Sequence, residues 1–116
     1  MRLLFFVLNR VDKLDDVLTE FANNNITGAT VIESVGMARV LNNQSEEDIP
    51  ILASLRAFLN PDRKENYVIF TVIRDNQLND IVKLIESVVG DLSAKDTGII
   101  FSLPVDFVKG VPGFGN

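Results

Sequence analysis

The chain has 116 residues, 47% of them hydrophobic, and a mean hydropathy of +0.20, enough apolar surface for one domain with one core and no run near the ~18 residues of a membrane span. Eleven Lys and Arg against 16 Asp and Glu leave a net charge of −5 without a basic run, which speaks against a nucleic-acid partner held by its phosphate backbone. With no His and no Cys the chain lacks the commonest transition-metal ligands, the usual base near neutral pH, the thiol nucleophile and any disulfide, and a cytoplasmic setting is expected.

After Met1 and Arg2 come six apolar residues, 3–8, without the small-residue cleavage site of a secretion signal, and they read as a first strand. Residues 67–73 form a second such run, interrupted only by Thr71. Neither run alternates, so both faces of the sheet are expected to be covered. A further copy of the chain is the expected cover; the competing expectation is that the chain's own 36–65 segment serves instead.

Val11, Leu14, Val17, Leu18, Phe21 and Ala22 recur at helical spacing and predict a helix over about 11–23. Asp12, Asp15, Asp16 and Glu20 fall on its solvated side, the acids near its start suiting the positive end of the dipole. Thr27-Gly28 leads into a second strand, 29–32. The polar stretch 42–48 reads as a mobile loop. Ile49, Ile51, Leu52, Leu55, Phe58 and Leu59 then fall on one helical stripe, with Asp48 to cap it and Pro50 in its first turn, so a short helix is expected over about 49–59. It is either packed on the domain or kept for a partner, which makes Leu52, Leu55 and Phe58 the candidate partner-binding residues.

Leu78, Ile81, Val82, Ile85, Val88 and Val89 predict a helix over about 77–89, with Asp75 or Asn76 as its N-cap and Gly90 as its stop. Thr97-Gly98 precedes a last strand, 99–102. The tail, 105–116, is rich in Gly and Pro and is expected to fray, with Phe114 as an anchor at a subunit boundary.

Set against itself at an offset of 64, the chain pairs residues 3–21 with 67–85, and Phe6/Phe70, Arg10/Arg74, Leu14/Leu78 and Asp16/Asp80 are identical. The ends of the two copies match at a larger offset, through Thr27-Gly28 and Thr97-Gly98. Each copy is strand, helix, strand. The doubled β-α-β predicts an α+β, ferredoxin-like domain, an antiparallel sheet with both helices on one face and a short extra helix in the inter-repeat loop.

No Walker loop, GxGxxG, paired CxxC, HExxH or EF-hand pattern is present, and no nucleophile, base and oxyanion arrangement is readable, so no enzyme, metal site or cofactor is expected. The candidates for ligand binding are Thr30 in the second strand, Gly36 where the chain leaves it, Arg39 three residues on, and Lys95 before the last strand. They converge on an anion only if sheet edges meet between subunits; otherwise they are a turn glycine and two surface cations.

Residues 13–17 (KLDDV), 26–31 (ITGATV), 33–39 (ESVGMAR) and 98–105 (GIIFSLPV) together resemble the PII signalling family. That resemblance implies a ferredoxin-like homotrimer with a long T-loop after the second strand, here within residues 36–66. It implies that the loop reaches partners such as transporters and metabolic enzymes, its pose set by adenine nucleotides between subunits. Thr30 and Gly36 match residues lining the nucleotide cleft, and Arg39 matches the arginine of the glycine-rich turn. Ala38 and Val40 depart from the family's glycine and glutamine, and Lys95 approximates the lysine before the last strand. The arginine pair after that strand is absent, with Phe107, Lys109 and Gly110 in the region, and so is the T-loop's modifiable tyrosine. A divergent PII-like regulator is implied, with a smaller or less charged ligand than ATP, or none. The alternatives are a ligand-free interaction module on the same trimer and a divalent-ion-tolerance protein of the CutA type.

Overall fold

Among the described residues, four strands and two helices follow one another in the order that the doubled unit predicts. The computed structural model of the chain describes residues 1–37, 65–111 and 113. The helix expected over 49–59, Arg39, Leu52, Leu55 and Phe58 all lie outside these residues. The first copy consists of β1 (Arg2–Leu8), a single 3-10 turn (Val11–Lys13), α1 (Leu14–Asn23) and β2 (Thr30–Ser34). The second consists of β3 (Asn66–Ile73), a 3-10 turn (Asp75–Gln77), α2 (Leu78–Val89) and β4 (Gly98–Pro104). The strands pair antiparallel in the order β2-β3-β1-β4, the ferredoxin-like arrangement with the inner strands taken from the starts of the two copies.

One sheet face is sealed by the helices. Leu4, Phe6 and Leu8 of β1 and Ile69 and Ile73 of β3 pack there with Val17 and Phe21 of α1 and Ile81, Ile85 and Val89 of α2. Ala22, expected on the packed face of α1, is exposed because that stripe has already turned outward at the helix end. α1 stops in a Schellman arrangement: Asn25 takes φ 64°, its N–H donates to Ala22 O at 3.1 Å, and Ile26 N–H donates to Phe21 O at 2.8 Å. That turn puts Ile26 into the core. Asp75 and Asn76 do not cap α2, since both lie within the 3-10 turn; Gln77 Oε1 instead accepts the Arg74 N–H at 2.7 Å. Gly90 supplies the expected stop with φ 93°.

The repeat needs a one-residue correction. Leu14/Leu78, Val17/Ile81 and Phe21/Ile85 hold the offset of 64 in the helices. The core-facing strand residues Leu4, Phe6 and Leu8 correspond instead to Ile69, Thr71 and Ile73, an offset of 65, because two residues join β1 to its turn and one joins β3 to its turn. Phe6 and Phe70 therefore lie on opposite faces, as a one-residue slip in a strand requires.

The helix-free face is apolar through its centre. Leu3, Phe5 and Val7 of β1 stand beside Val72, Phe70 and Val68 of β3 on one side and Leu103, Phe101 and Ile99 of β4 on the other. Phe5 stacks on Phe101 with centroids 4.8 Å apart and lies 6.5 Å from Phe70. Ile32, Ile99, Phe101 and Leu103 are exposed. The missing alternation in the sequence thus has its cause in a second apolar face that no described element covers.

The described part of the tail is placed against the domain, contrary to the expectation of fraying. Val105 N–H donates to Met1 O at 3.1 Å, and Arg74 Nη2 donates to Gly113 O at 3.2 Å, so the tail crosses one end of the sheet from the β4 side towards β3. Phe114 lies outside the described residues.

Candidate functional site

At one end of the sheet β1 and β2 finish and β3 and β4 begin, so Leu8, Ser34, Asn66 and Gly98 gather there. The segment 36–65 leaves from and returns to this end. A polar chain runs across it. Ser34 Oγ donates to Asn66 Oδ1, Asn66 Nδ2 donates to Asn9 Oδ1 at 3.5 Å, and Asn9 N–H donates to Thr97 O at 3.3 Å. Asn66 is only 6% exposed, and its partners are what make that burial tolerable. None of Asn9, Ser34 and Asn66 stood out in the sequence, where they are single polar residues at the ends of apolar runs. An Asn66→Ala variant is expected to lose about 1–2 kcal/mol in chemical denaturation, with Ser34→Ala adding little on top, since both break one contact. Full additivity of the two losses would contradict the linkage.

Gly36 is half-buried just beyond the end of β2, and Thr30 is exposed at the start of that strand, on the helix-free face beside Phe70. Lys95 is exposed in the connection between α2 and β4. β3 and β1 stand between the two edges, and three strand spacings amount to about 14 Å. A single protomer therefore does not bring Lys95 to Gly36 or Thr30. Such a meeting requires the β2 edge of one protomer to face the β4 edge of another.

Each edge carries a groove. On the β4 side a groove of about 500 Å³ lies between α2 and the strand, lined by Leu78, Val82, Leu92, Ile100 and Phe101 among others. On the β2 side a cleft of about 320 Å³ is lined by the turn after α1, by Thr30, by the end of β3, and by Val111 of the tail. No described lining residue of either groove carries a charge.

The connection bearing Lys95 is held by carboxylates. Glu86 Oε2 accepts the Leu92 N–H at 3.1 Å, and Asp91 Oδ1 accepts the Ser93 N–H at 2.9 Å, while Ala94 N–H bonds to Asp91 O at 2.9 Å. Amide groups of this turn are thus already occupied from within the chain. Along this connection Lys95 is the one cation against Asp91 and Asp96, a net negative charge that disfavours a polyphosphate.

Among the described residues no group of acidic side chains is arranged to hold a metal ion, and no helix is long and apolar enough to cross a membrane. Residues 3–111 match the family model described as nitrogen regulatory protein P-II. No curated protein matches the chain.

Proposed function

This chain belongs to the nitrogen regulatory protein P-II family, and from that premise we propose that it is a cytoplasmic homotrimer sensing a small ligand between its subunits. The observation that carries this reading is the separation of Gly36 and Lys95 on opposite sheet edges, both at the end where the 36–65 segment departs. A ring of protomers joined edge to edge makes one cleft from two incomplete halves, and lets the helix-free faces bury one another about the axis.

Thr30, Gly36 and Arg39 then come from one protomer and Lys95 from its neighbour. A ligand there acts on the base of the 36–65 segment, across the Ser34, Asn66 and Asn9 chain. It shifts the segment only by preferring one pose to another. The segment, through Leu52, Leu55 and Phe58, docks on a partner such as a transporter or a metabolic enzyme. An adenine nucleotide is the ligand that family membership suggests first. The net negative charge of the connection that bears Lys95 and the missing arginine pair favour one with less charge than ATP.

Native mass spectrometry with ATP, ADP, AMP and cyclic dinucleotides, paired with hydrogen exchange over residues 42–60, tests the proposal. The expected result is a trimer that takes up to one ligand per cleft and changes exchange in that segment. A trimer whose exchange there ignores every bound ligand would favour the ligand-free interaction module.

A further inference from the structure

Thr71 is 5% exposed and its hydroxyl has no hydrogen-bond partner among the described residues. It is the structural counterpart of Phe6, so the second copy has a hydroxyl where the first buries a phenyl ring. Thr71 lines the β2-edge cleft. β2 pairs with β3 only as far as Phe70, so the last three residues of β3 have no strand beside them on that side, and the cleft opens there. A buried hydroxyl without a partner loses its hydration for nothing in return unless a ligand or water completes it.

We propose that this cleft binds a small uncharged ligand, with an apolar body against Ile73 and Val111 and a hydrogen-bonding group at Thr71. Asn25, Thr27, Thr30 and Gln77 supply further uncharged donors and acceptors, while Ile26 and Phe70 make the remaining wall apolar. A formal charge brought into such a cleft would stay unpaired by the described lining residues, none of which carries an opposite one. Thr97 is buried to the same degree but lines neither groove, so burial of a threonine alone does not mark the site. The proposal rests on the reading of Thr30 as part of a ligand cleft, and it specifies the chemistry of the end of that cleft away from Gly36.

The test is titration of the full-length protein with isobutyramide, isobutyrate and isobutylammonium, followed by methyl NMR at Thr71, Ile73 and Val111, with sedimentation on the same samples. The amide is expected to shift these methyls saturably, and the two ions to bind at least about tenfold more weakly. Thr71→Val is expected to weaken amide binding about fivefold, the worth of one neutral hydrogen bond, and Thr71→Ser to retain it. Absence of saturable shifts, equal binding of either ion, or unchanged binding by Thr71→Val overturns the proposal, the last showing a hydroxyl served by water alone. A trimer that ignores the amide refutes this ligand class and leaves the assembly standing. A monomer that binds the amide refutes the assembly and leaves the cleft standing.

Discussion

Phe101→Asp is expected to yield folded monomers where the unaltered chain assembles. Phe101 sits at the centre of β4 on the helix-free face, stacked on Phe5 and 44% exposed within the protomer. In an isolated protomer the new carboxylate keeps its water, so the loss on folding is limited to the aromatic pair, about 1 kcal/mol. In a trimer built on this face the same carboxylate is taken out of water among apolar side chains, and three copies approach one axis. Desolvation then amounts to several kcal/mol per protomer, enough to dissociate an assembly of ordinary affinity. Sedimentation reports the mass, and circular dichroism the fold. An unaltered chain that sediments as a monomer, or a Phe101→Asp variant that assembles as well as its parent, would contradict the role given to this face.

The second large effect is expected at Gly98, and it separates two glycines that look alike in sequence. A Cβ at Gly98 would overlap the carbonyl oxygen of Val7 and stand 2.9 Å from the Phe6 ring, at φ 153°. Val7 belongs to the strand that pairs with β4, so neither side can yield without opening the ladder next to the polar chain at Asn9 and Thr97. Gly98→Ala is expected to lose about 3 kcal/mol from overlap and backbone strain together. A Cβ at Gly28 meets no described atom within 4 Å beyond its chain neighbours, and Gly28→Ala is expected to stay within about 0.5 kcal/mol of the parent. Equal losses at the two positions in urea denaturation would contradict the close approach of β4 to β1.

The elements and their order were legible because helical stripes and apolar runs report burial directly, and the duplicated unit then selects the topology. Leu14, Val17 and Phe21 announce the packed side of α1, and their counterparts in α2 repeat it. Strand faces were not legible in the same way. A run such as residues 67–73 offers no alternation to show which side meets the helices, so the sequence carries no sign of the single missing residue before Asp75, and Thr71 reads as an interruption rather than as the repeat counterpart of Phe6. Asn25 hid its role as the left-handed residue ending α1, because a run of three asparagines does not say which one turns. The tail's composition suggested fraying, yet the contacts that place it, from Val105 to Met1 and from Arg74 to Gly113, are main-chain acceptors that composition does not encode. Of the candidate ligand residues, Gly36 and Lys95 fall at the same end of the sheet and on opposite edges, a relation only strand order reveals. Phe107, 77% exposed just beyond β4, gave no distinct signal as a surface aromatic.

The most direct test of edge-to-edge assembly uses the absence of native cysteine. Val35→Cys and Lys95→Cys in one chain place two thiols on opposite edges of a sheet at the same end, some 14 Å apart within a protomer. Treatment with a short bismaleimide under native conditions, read on a denaturing gel, is predicted to give covalent trimers, because each protomer links its β2 edge to the next protomer's β4 edge until the ring closes. Single-cysteine variants are predicted to give none. Only monomer from the double variant, at concentrations where the chain is assembled, would show that the two edges do not meet and that the cleft between subunits does not form in this way.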